Sequence, residues 1–508
     1  MKIILATFNA RYTHSSLGLR YLYANMHELQ ANTQILEFVI NTQVVDAVAS
    51  IMECGPDVVG LGAYIWNANE ISEAVTIIKQ ISPQTIVVLG GPEASYLPHR
   101  VDFSVADFII KGEGDIAFYE LCKSIQNGKK PSQKFIQAPL VDINAIELPY
   151  TYYSDHDVAH RYIYVEASRG CPFTCEFCLS SLDKKVRNVD LQNFLNALQN
   201  LWDRGVRNFK FIDRTFNQGI ERANRLMDFF LAKEPPYFIH FEVIPDNFPA
   251  SLKERIIQFP PACLQLEVGV QTLHASIAEN INRKLNIPKI KDNLTFLQTQ
   301  TNAHLHVDLI VGLPGESLEQ FGANLDMLYA MCKSEIQIGI LKKLSGTTLN
   351  RHDTQEGMVY SHKPPYEILQ NNLISFAQMQ EIKRFARFWD MLYNSGNFQK
   401  SVTYLFIDGK VYAGFLAFSN WLYTQTLSTW QISLDRLALL LFTYLDAVLH
   451  VACEKLKADM IEDLMVVRGR KLPNFLRYDE VFESKNDAIK VKFNKRQQKH
   501  AHNKCSLV

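Results

Sequence analysis

The chain lacks several features that would settle its class at once. Nowhere do roughly eighteen apolar residues run together, and the most apolar stretch, 437–451, is broken by Thr443, Asp446 and His450, so no membrane insertion is expected. The opening MKIILATFNARYTH has a single lysine and an apolar run too short for a signal-peptide core; it reads as a buried first strand. Charge of one sign is also missing. Fifty-two Lys and Arg against fifty-three Asp and Glu give a net charge of −1, which builds no strong field toward nucleic acid or anionic membrane. Cysteine is sparse: nine in 508 residues, three of them clustered, which excludes the dense disulfide framework of a secreted protein and fits a reducing cytoplasm. What is present is apolar residue in quantity, 47%, enough for about three packed units and too much for a disordered chain.

From the start to about residue 130, short β-branched runs at 3–7, 34–40, 58–63, 85–89 and 108–110 alternate with helical patterns. This predicts a doubly wound, Rossmann-like parallel sheet with helices on both faces. Its first helix carries Leu19, Leu22, Tyr23 and Met26 on one face behind the candidate caps Ser15 and Ser16. The loops at the carboxyl ends of such strands form a ligand crevice, and here they hold Gly60, Gly62, Gly90, Gly91 and Pro92. Glycines there let a bulky flat ligand approach the backbone; a flavin or another nucleotide, or simple turn geometry, would use them equally.

Residues 131–155, with Pro131, Pro139 and Pro149, read as a linker. A second domain, 156–344, repeats strand and helix six times, with strands at 162–166, 209–213, 237–243, 264–268, 306–311 and 335–341. One helix shows the logic: Asp190 caps it, Leu191, Phe194, Leu195, Leu198 and Leu201 form its stripe, and Gly205 ends it. A partial (β/α)6 barrel of the TIM type follows, with its active site at the strands' carboxyl ends. From 345 to 508 the alternation gives way to aromatic-rich helical patterns at 376–393 and 432–449, predicting a mainly helical third domain. Phe385, Phe388, Trp389 and Tyr393 are expected as its helix core. Residues 466–505 form a basic tail with eleven Lys or Arg against four Asp or Glu.

Just past the first barrel strand stands SRGCPFTCEFCLSS, with Cys171, Cys175 and Cys178 at spacings of four and three. Three thiolates on a cubane cluster leave one of four irons open to a ligand, whereas a closed cluster or a structural zinc site needs a fourth donor. A zinc knuckle completed by a remote His or Cys is the competing reading. The remaining Cys263, Cys332, Cys453 and Cys505 stand singly and read as ordinary thiols, the first two buried.

The CxxxCxxC spacing with Phe177 before the third cysteine resembles the radical S-adenosylmethionine (radical SAM) superfamily. That resemblance implies a 4Fe-4S cluster on Cys171, Cys175 and Cys178, S-adenosylmethionine chelated at the open iron, and a 5′-deoxyadenosyl radical. It further implies cofactor contacts from Phe177, from Asp213 in FKFID, from Glu267 and Gln271 in LEVGVQT, and from Asp308 and Gly312 in HVDLIVGLPGE. Arg214 stands where related cobalamin enzymes carry a second acidic residue. The pieces SLGLRYL, DVVGLGAY, VVLGGPEAS and FIIKGEGD resemble the cobalamin-binding domain that precedes the barrel in one branch of the superfamily. The branch's cobalt-ligating DxHxxG pattern is absent, since Tyr12 precedes and Leu17 follows His14. His14 is therefore a candidate cobalt neighbour or a loop histidine bonded to backbone. The whole arrangement is similar to cobalamin-binding radical proteins with an uncharacterised C-terminal domain, and the boundaries expected are 1–130, 131–155, 156–344 and 345–508.

With both cofactors, the resemblance implies methylation of an unactivated carbon: one S-adenosylmethionine methylates cobalamin, a second supplies the radical, and the substrate radical takes methyl from methylcobalamin. Relatives that rearrange or cyclise without methyl transfer give the nearest alternative. Methylthio transfer would need an N-terminal cysteine triad, and only Cys54 and Cys122 precede the linker. A non-enzymatic iron–sulfur redox sensor binding nucleic acid is the remaining alternative, and it leaves the barrel-rim motifs unexplained. An electron donor such as flavodoxin or ferredoxin is the expected partner. The substrate stays open among small molecule, peptide and tRNA, the basic tail being either a phosphate-binding or a solvated segment.

Overall fold

A computed structural model of the chain describes residues 1–477. Most of the basic tail, and Cys505, lie outside the described residues. The described residues form two compact units: Met1–Thr215 with Lys342–Asp353 and Tyr360–Glu367, and Phe216–Leu341 with Thr354–Val359 and 368–477.

The first unit contains a six-stranded parallel sheet in the order β2-β1-β3-β4-β5-β6, built from β1 (Ile3–Asn9), β2 (Thr33–Val39), β3 (Val58–Gly62), β4 (Ile86–Gly90), β5 (Phe108–Lys111) and β6 (Phe135–Gln137). All seven residues of β1 are buried, because helices cover both faces. Val44–Glu53 and Ala68–Ile81 pack against Ile4, Ala6, Phe8, Val59 and Leu61; Leu17–Ala24 and Gly114–Gln126 pack against Ile3, Leu5, Val58 and Val88. The expected doubly wound sheet is thus present. Strand order reverses at β1, where the chain lays β2 on one side and β3 on the other, and such a reversal opens a crevice at the strands' carboxyl ends.

Two local features differ from the sequence reading. Strand β6 lies inside the proline-bearing stretch that showed no period; it is three residues long and only partly buried, too little to leave a pattern. The first helix stops at Ala24, and its buried positions are Leu17, Leu19, Arg20, Tyr21 and Ala24, with Ser16 as cap through Leu19 N. Arg20 is buried because Glu37 and Asp157 each accept from its guanidinium at 2.8 Å, a pairing that hydropathy cannot reveal.

The same unit continues with β7 (Ile163–Val165), the two-residue strands β8 (Ser168–Arg169) and β9 (Arg187–Asn188), and β10 (Asn208–Phe211). β7 and β10 are parallel, and β8 and β9 form a small antiparallel neck. The connecting helix, Leu191–Asp203, is capped by Asp190 and buries Phe194, Leu198 and Leu201, as its stripe predicted.

In the second unit β11 (Phe238–Val243), β12 (Leu264–Gln271), β13 (His304–Val311) and β14 (Glu335–Ile340) pair in parallel, each with the next. A helical region follows, Phe376–Leu392, Val411–Thr426, Leu434–Ala447 and Cys453–Met465. Phe385, Phe388 and Trp389 are fully buried in it, and Tyr393 nearly so, as are Cys263 and Cys332 in their strands' surroundings. Short strands at Val359–Tyr360 and Ile368–Gln370 precede the first of these helices, so the change of pattern near Ser345 is less abrupt than expected. Among the described residues no helix is long and apolar enough to cross a membrane.

Candidate functional site

At the carboxyl ends of β3, β4 and β5, beside the helix Leu17–Ala24, lies a cavity of ≈ 450 Å³. Gly60, Gly62, Gly90, Gly91 and Pro92 all line it, so the five residues expected there are brought together. Gly91 has a positive φ of 97°, and a Cβ on it would stand 2.5 Å from the Ala63 carbonyl oxygen; the turn admits only glycine. Gly90 is different. A Cβ there would meet nothing within 4 Å, so its side faces open space in the crevice wall. Tyr64, stacked on Trp66 with centroids 4.5 Å apart, supplies an aromatic wall, and Gly18 approaches its hydroxyl. Leu19, Leu22, Val88, Ile110 and Phe118 add apolar lining, which together with the glycines suits a broad flat ring system.

The lower wall is charged and was not foreseen. Arg169 donates to both oxygens of Asp115 (2.9 and 3.0 Å) and through Nε to Glu166 (2.8 Å), with its guanidinium 4.5 Å from the Tyr21 ring. Arg187 donates to both oxygens of Glu113 (2.9 and 2.5 Å) and to Asp183 (2.6 Å). Burial pushes the Glu166 carboxyl up, and Arg169 opposes that rise. The acids of GEGD and the arginine of SRGC stand in motifs already singled out, but nothing in the sequence pairs one with the other.

Arg169 and Arg187 sit on β8 and β9, the neck from which the cysteine loop projects. Gly170 has φ 93°, and a Cβ on it would stand 2.5 Å from the Lys185 carbonyl oxygen, while Cys171 N–H donates to Asp183 O at 2.8 Å. Cys171 and Cys175 are buried and Cys178 half-buried. Burial raises the Cys171 thiol, and the neighbouring Cys178 and Cys175 thiols add to the rise, which thiolate coordination to a cation would reverse. Among the described residues no three His, Cys, Asp or Glu side chains are already gathered as a ligand shell. The donor set itself fits a cluster: three soft thiols on one eight-residue loop, anchored at its neck. Between the cysteines, Glu176 is buried and accepts from Arg351 Nε (2.7 Å) and pairs with His352 Nε2 (3.0 Å); Phe177 is half-buried.

Asp213 lies two residues beyond β10. Its oxygens accept from Ala167 N–H (2.9 Å) and Ser168 O–H (2.6 Å), tying the end of β7 to the neck, and burial raises its pKa to about 6. His14 hydrogen-bonds through Nδ1 to the Tyr164 hydroxyl and does not line the cavity. Burial, then Lys210 and Arg11, lower its pKa.

In the second unit the chemistry sits on a sheet face. Burial alternates along β12 and β13, so that Gln265, Glu267, Gly269 and Gln271, and His304, His306, Asp308 and Ile310, share the less buried side. Glu242 is paired in register with Glu267, and Gly269 with Asp308. His240 Nε2 lies 2.8 Å from Glu267. Burial, followed by the charges of Glu267 and Glu242, pushes the Asp308 carboxyl well above the ordinary carboxylate range, and its Oδ1 is a buried atom without a partner. Gln271 (φ 70°) and Gly312 (φ 87°) end the two strands in left-handed turns. Glu316, fully buried, accepts from Gly312 N–H (3.2 Å) and Asn324 (3.2 Å); burial raises its pKa to about 8. Of the residues singled out in the sequence, Glu267, Gln271 and Asp308 lie on this face and Gly312 just past its end; His240 and Glu242, on β11 beside them, were not singled out, and their signal was charge within a parallel strand.

Comparison with known proteins matches the same three regions. The B12 binding domain corresponds to residues 2–122, the radical SAM superfamily to 165–328, and a family described as protein of unknown function, DUF4080, to 355–507. The chain is a cobalamin-binding radical SAM enzyme, and its cofactors are those of that class: cobalamin, S-adenosylmethionine and a 4Fe-4S cluster. Within the class it is a member that carries a DUF4080 domain at its C-terminal end. An uncharacterized methyltransferase of Pyrococcus horikoshii is 26% identical over 66% of this chain and 78% of its own length. The 2-(S-pantetheinyl)-carbapenam-3-carboxylate methyltransferase of Streptantibioticus cattleyicolor is 26% identical over 52% of this chain, which spans only 44% of that protein. The structure of OxsB, a cobalamin-dependent S-adenosylmethionine radical enzyme, superimposes with a TM-score of 0.61 over 92% of this chain and 79% of its own, at 12% identity; the likeness is one of fold.

Proposed function

We propose that this enzyme transfers a methyl group to an unactivated carbon, using cobalamin and S-adenosylmethionine. One observation carries the reading: the glycine-lined crevice and the neck of the three-cysteine loop share a single charged seam, Asp115 and Glu113 with Arg169 and Arg187. Two cofactor seats are thereby held by one rigid joint, as a reaction that uses both in sequence requires. In this reading 1–130 binds cobalamin, 131–155 links, 156–344 is the radical SAM region and 345–508 is the C-terminal domain.

Cys171, Cys175 and Cys178 hold the cluster, with Phe177 beside them. Asp213, Glu267, Gln271, Asp308 and Gly312 serve S-adenosylmethionine; Gly60, Gly62, Gly90, Gly91 and Pro92 serve cobalamin. His14, fixed through Nδ1 to Tyr164, is the candidate cobalt neighbour, with Nε2 as its other ring nitrogen. When bound, the cofactors supply hydrogen abstraction and methyl donation. The chain's part is to orient them. The enzyme works in the cytoplasm with a flavodoxin or ferredoxin as reductant. The methyltransferase names among its relatives favour methyl transfer over rearrangement.

The test is anaerobic reconstitution with iron, sulfide and hydroxocobalamin, followed by metal analysis and assays for 5′-deoxyadenosine and S-adenosylhomocysteine. About four irons, one cobalamin and both products are expected, all but the cobalamin lost in a Cys171, Cys175 and Cys178 to Ala triple variant. Stoichiometric zinc without cleavage overturns the radical reading; deoxyadenosine without S-adenosylhomocysteine overturns methyl transfer alone.

A further inference from the structure

The segment after β14 belongs to the first unit and touches both of its cofactor loops. Its two parts, Lys342–Asp353 and Tyr360–Glu367, close on each other through an antiparallel bridge between Lys342 and Glu367 and a Lys343 N–H bond to Tyr366 O (3.0 Å). At one end Tyr366, fully buried, donates its hydroxyl proton to Glu93 at 2.5 Å, the residue directly after the glycine loop and Pro92. Arg100 lies over the Tyr366 ring at 4.3 Å and donates to Lys343 O at 2.6 Å. Gly346, at φ 88°, lies so flat on Tyr96 that a Cβ would come within 2.6 Å of the ring. At the other end Arg351 and His352 hold Glu176, inside the cysteine loop.

We propose that this segment is a strap that positions both cofactor loops, Glu176 being the positioning residue of the cysteine loop and Glu93 that of the glycine loop. It rests on the reading that Cys171, Cys175 and Cys178 hold the cluster. Glu176 stands next to Cys175 and two residues before Cys178. Once the thiolates carry charge, a further buried carboxylate at that place is unfavourable unless a cation answers it. Arg351 is that cation. Its side chain is 56% exposed, so solvent screens part of its charge, while Glu176 is nearly enclosed. The two therefore act on the cluster with opposite sign and unequal weight, the carboxylate having more effect. A packing role alone produces no such asymmetry.

Full-length Glu176→Gln, Arg351→Gln, Arg351→Lys and Tyr366→Phe proteins, reconstituted anaerobically, test this by iron content, spectroscopic redox titration of the cluster and hydroxocobalamin titration. Glu176→Gln is expected to keep its iron and shift the midpoint potential upward. Arg351→Gln shifts it downward by less, and Arg351→Lys stays near the parent value. Tyr366→Phe weakens cobalamin binding roughly tenfold, the loss of one hydrogen bond to a charged group, with iron and potential unchanged. Equal-sign or absent shifts in proteins that retain their iron overturn the cluster arm, and the Arg351 pair decides it if Glu176→Gln does not fold. Unchanged cobalamin affinity in Tyr366→Phe overturns the other arm. A parent protein that takes up no iron defeats the cluster reading instead, and leaves the cobalamin arm measurable.

Discussion

The sheet of the first unit and the strands β11–β13 of the second are both parallel, yet they present chemistry in different places. β1 is buried along its whole length beneath helices on both faces, and the site of its sheet lies at the strand ends, where glycines line the crevice. β12 and β13 bury one side and set Glu267, Asp308 and their neighbours on the other, so there the site is the face. The difference teaches what a substitution will do. In an edge site the fold and the site share the same atoms; in a face site the functional side chains oppose folding, since buried like charges stabilise nothing.

The sharpest way to break this contrast is at the charged seam. Arg169→Met leaves Asp115 and Glu166 uncompensated and should destabilise the first unit by roughly 3–5 kcal/mol, measured by urea unfolding. A loss below about 1 kcal/mol would remove the seam from the account. Next comes Gly91→Ala, whose Cβ would collide with the Ala63 carbonyl at an unfavourable φ; a loss of about 2–4 kcal/mol is expected. The second unit should respond in the opposite direction. Asp308 has a raised pKa, so its folded form is penalised as pH climbs above the unfolded value near ~3.9, and the penalty grows until the folded pKa is reached. Asp308→Asn should therefore raise Tm at pH 8 while changing it little at pH 4, at the expense of S-adenosylmethionine cleavage. Glu316 behaves alike over a bounded window: stability falls from about pH 4.3 up to about 8, and Glu316→Gln flattens that fall in a Tm-against-pH series. Smallest is Gly90→Ala, whose Cβ meets nothing. Stability should stay within ~0.5 kcal/mol while hydroxocobalamin binding weakens, separating the edge site from its fold at the one glycine where they part.

Legibility in the sequence followed the same division. Apolar runs bounded by glycine made the first sheet and its crevice readable, and the cysteine spacing marked the loop that β8 and β9 hold at its neck. The residues that fasten these parts were not readable. Arg169, Arg187, Glu113, Asp115, Arg20 and Glu37 look like surface charges in any hydropathy window, and their pairing joins positions up to 137 residues apart, as between Arg20 and Asp157. β6 escaped because pairing with β5, not its own pattern, makes it a strand. The bond from His14 Nδ1 to Tyr164 is another of these long-range pairings, joining residues 150 positions apart.

Strand β6 also decides where this protein can be cut. It covers the outer edge of β5 through Ile109, Ile110 and Lys111, and just beyond it Val141 reaches back to the Glu113 carboxylate at 2.8 Å. A fragment ended at residue 122, where the B12 binding domain match stops, would bare an apolar strand edge and invite intermolecular pairing. An independently expressed N-terminal module must therefore run past Val141, with the working boundary set by an edge and not by the cofactor.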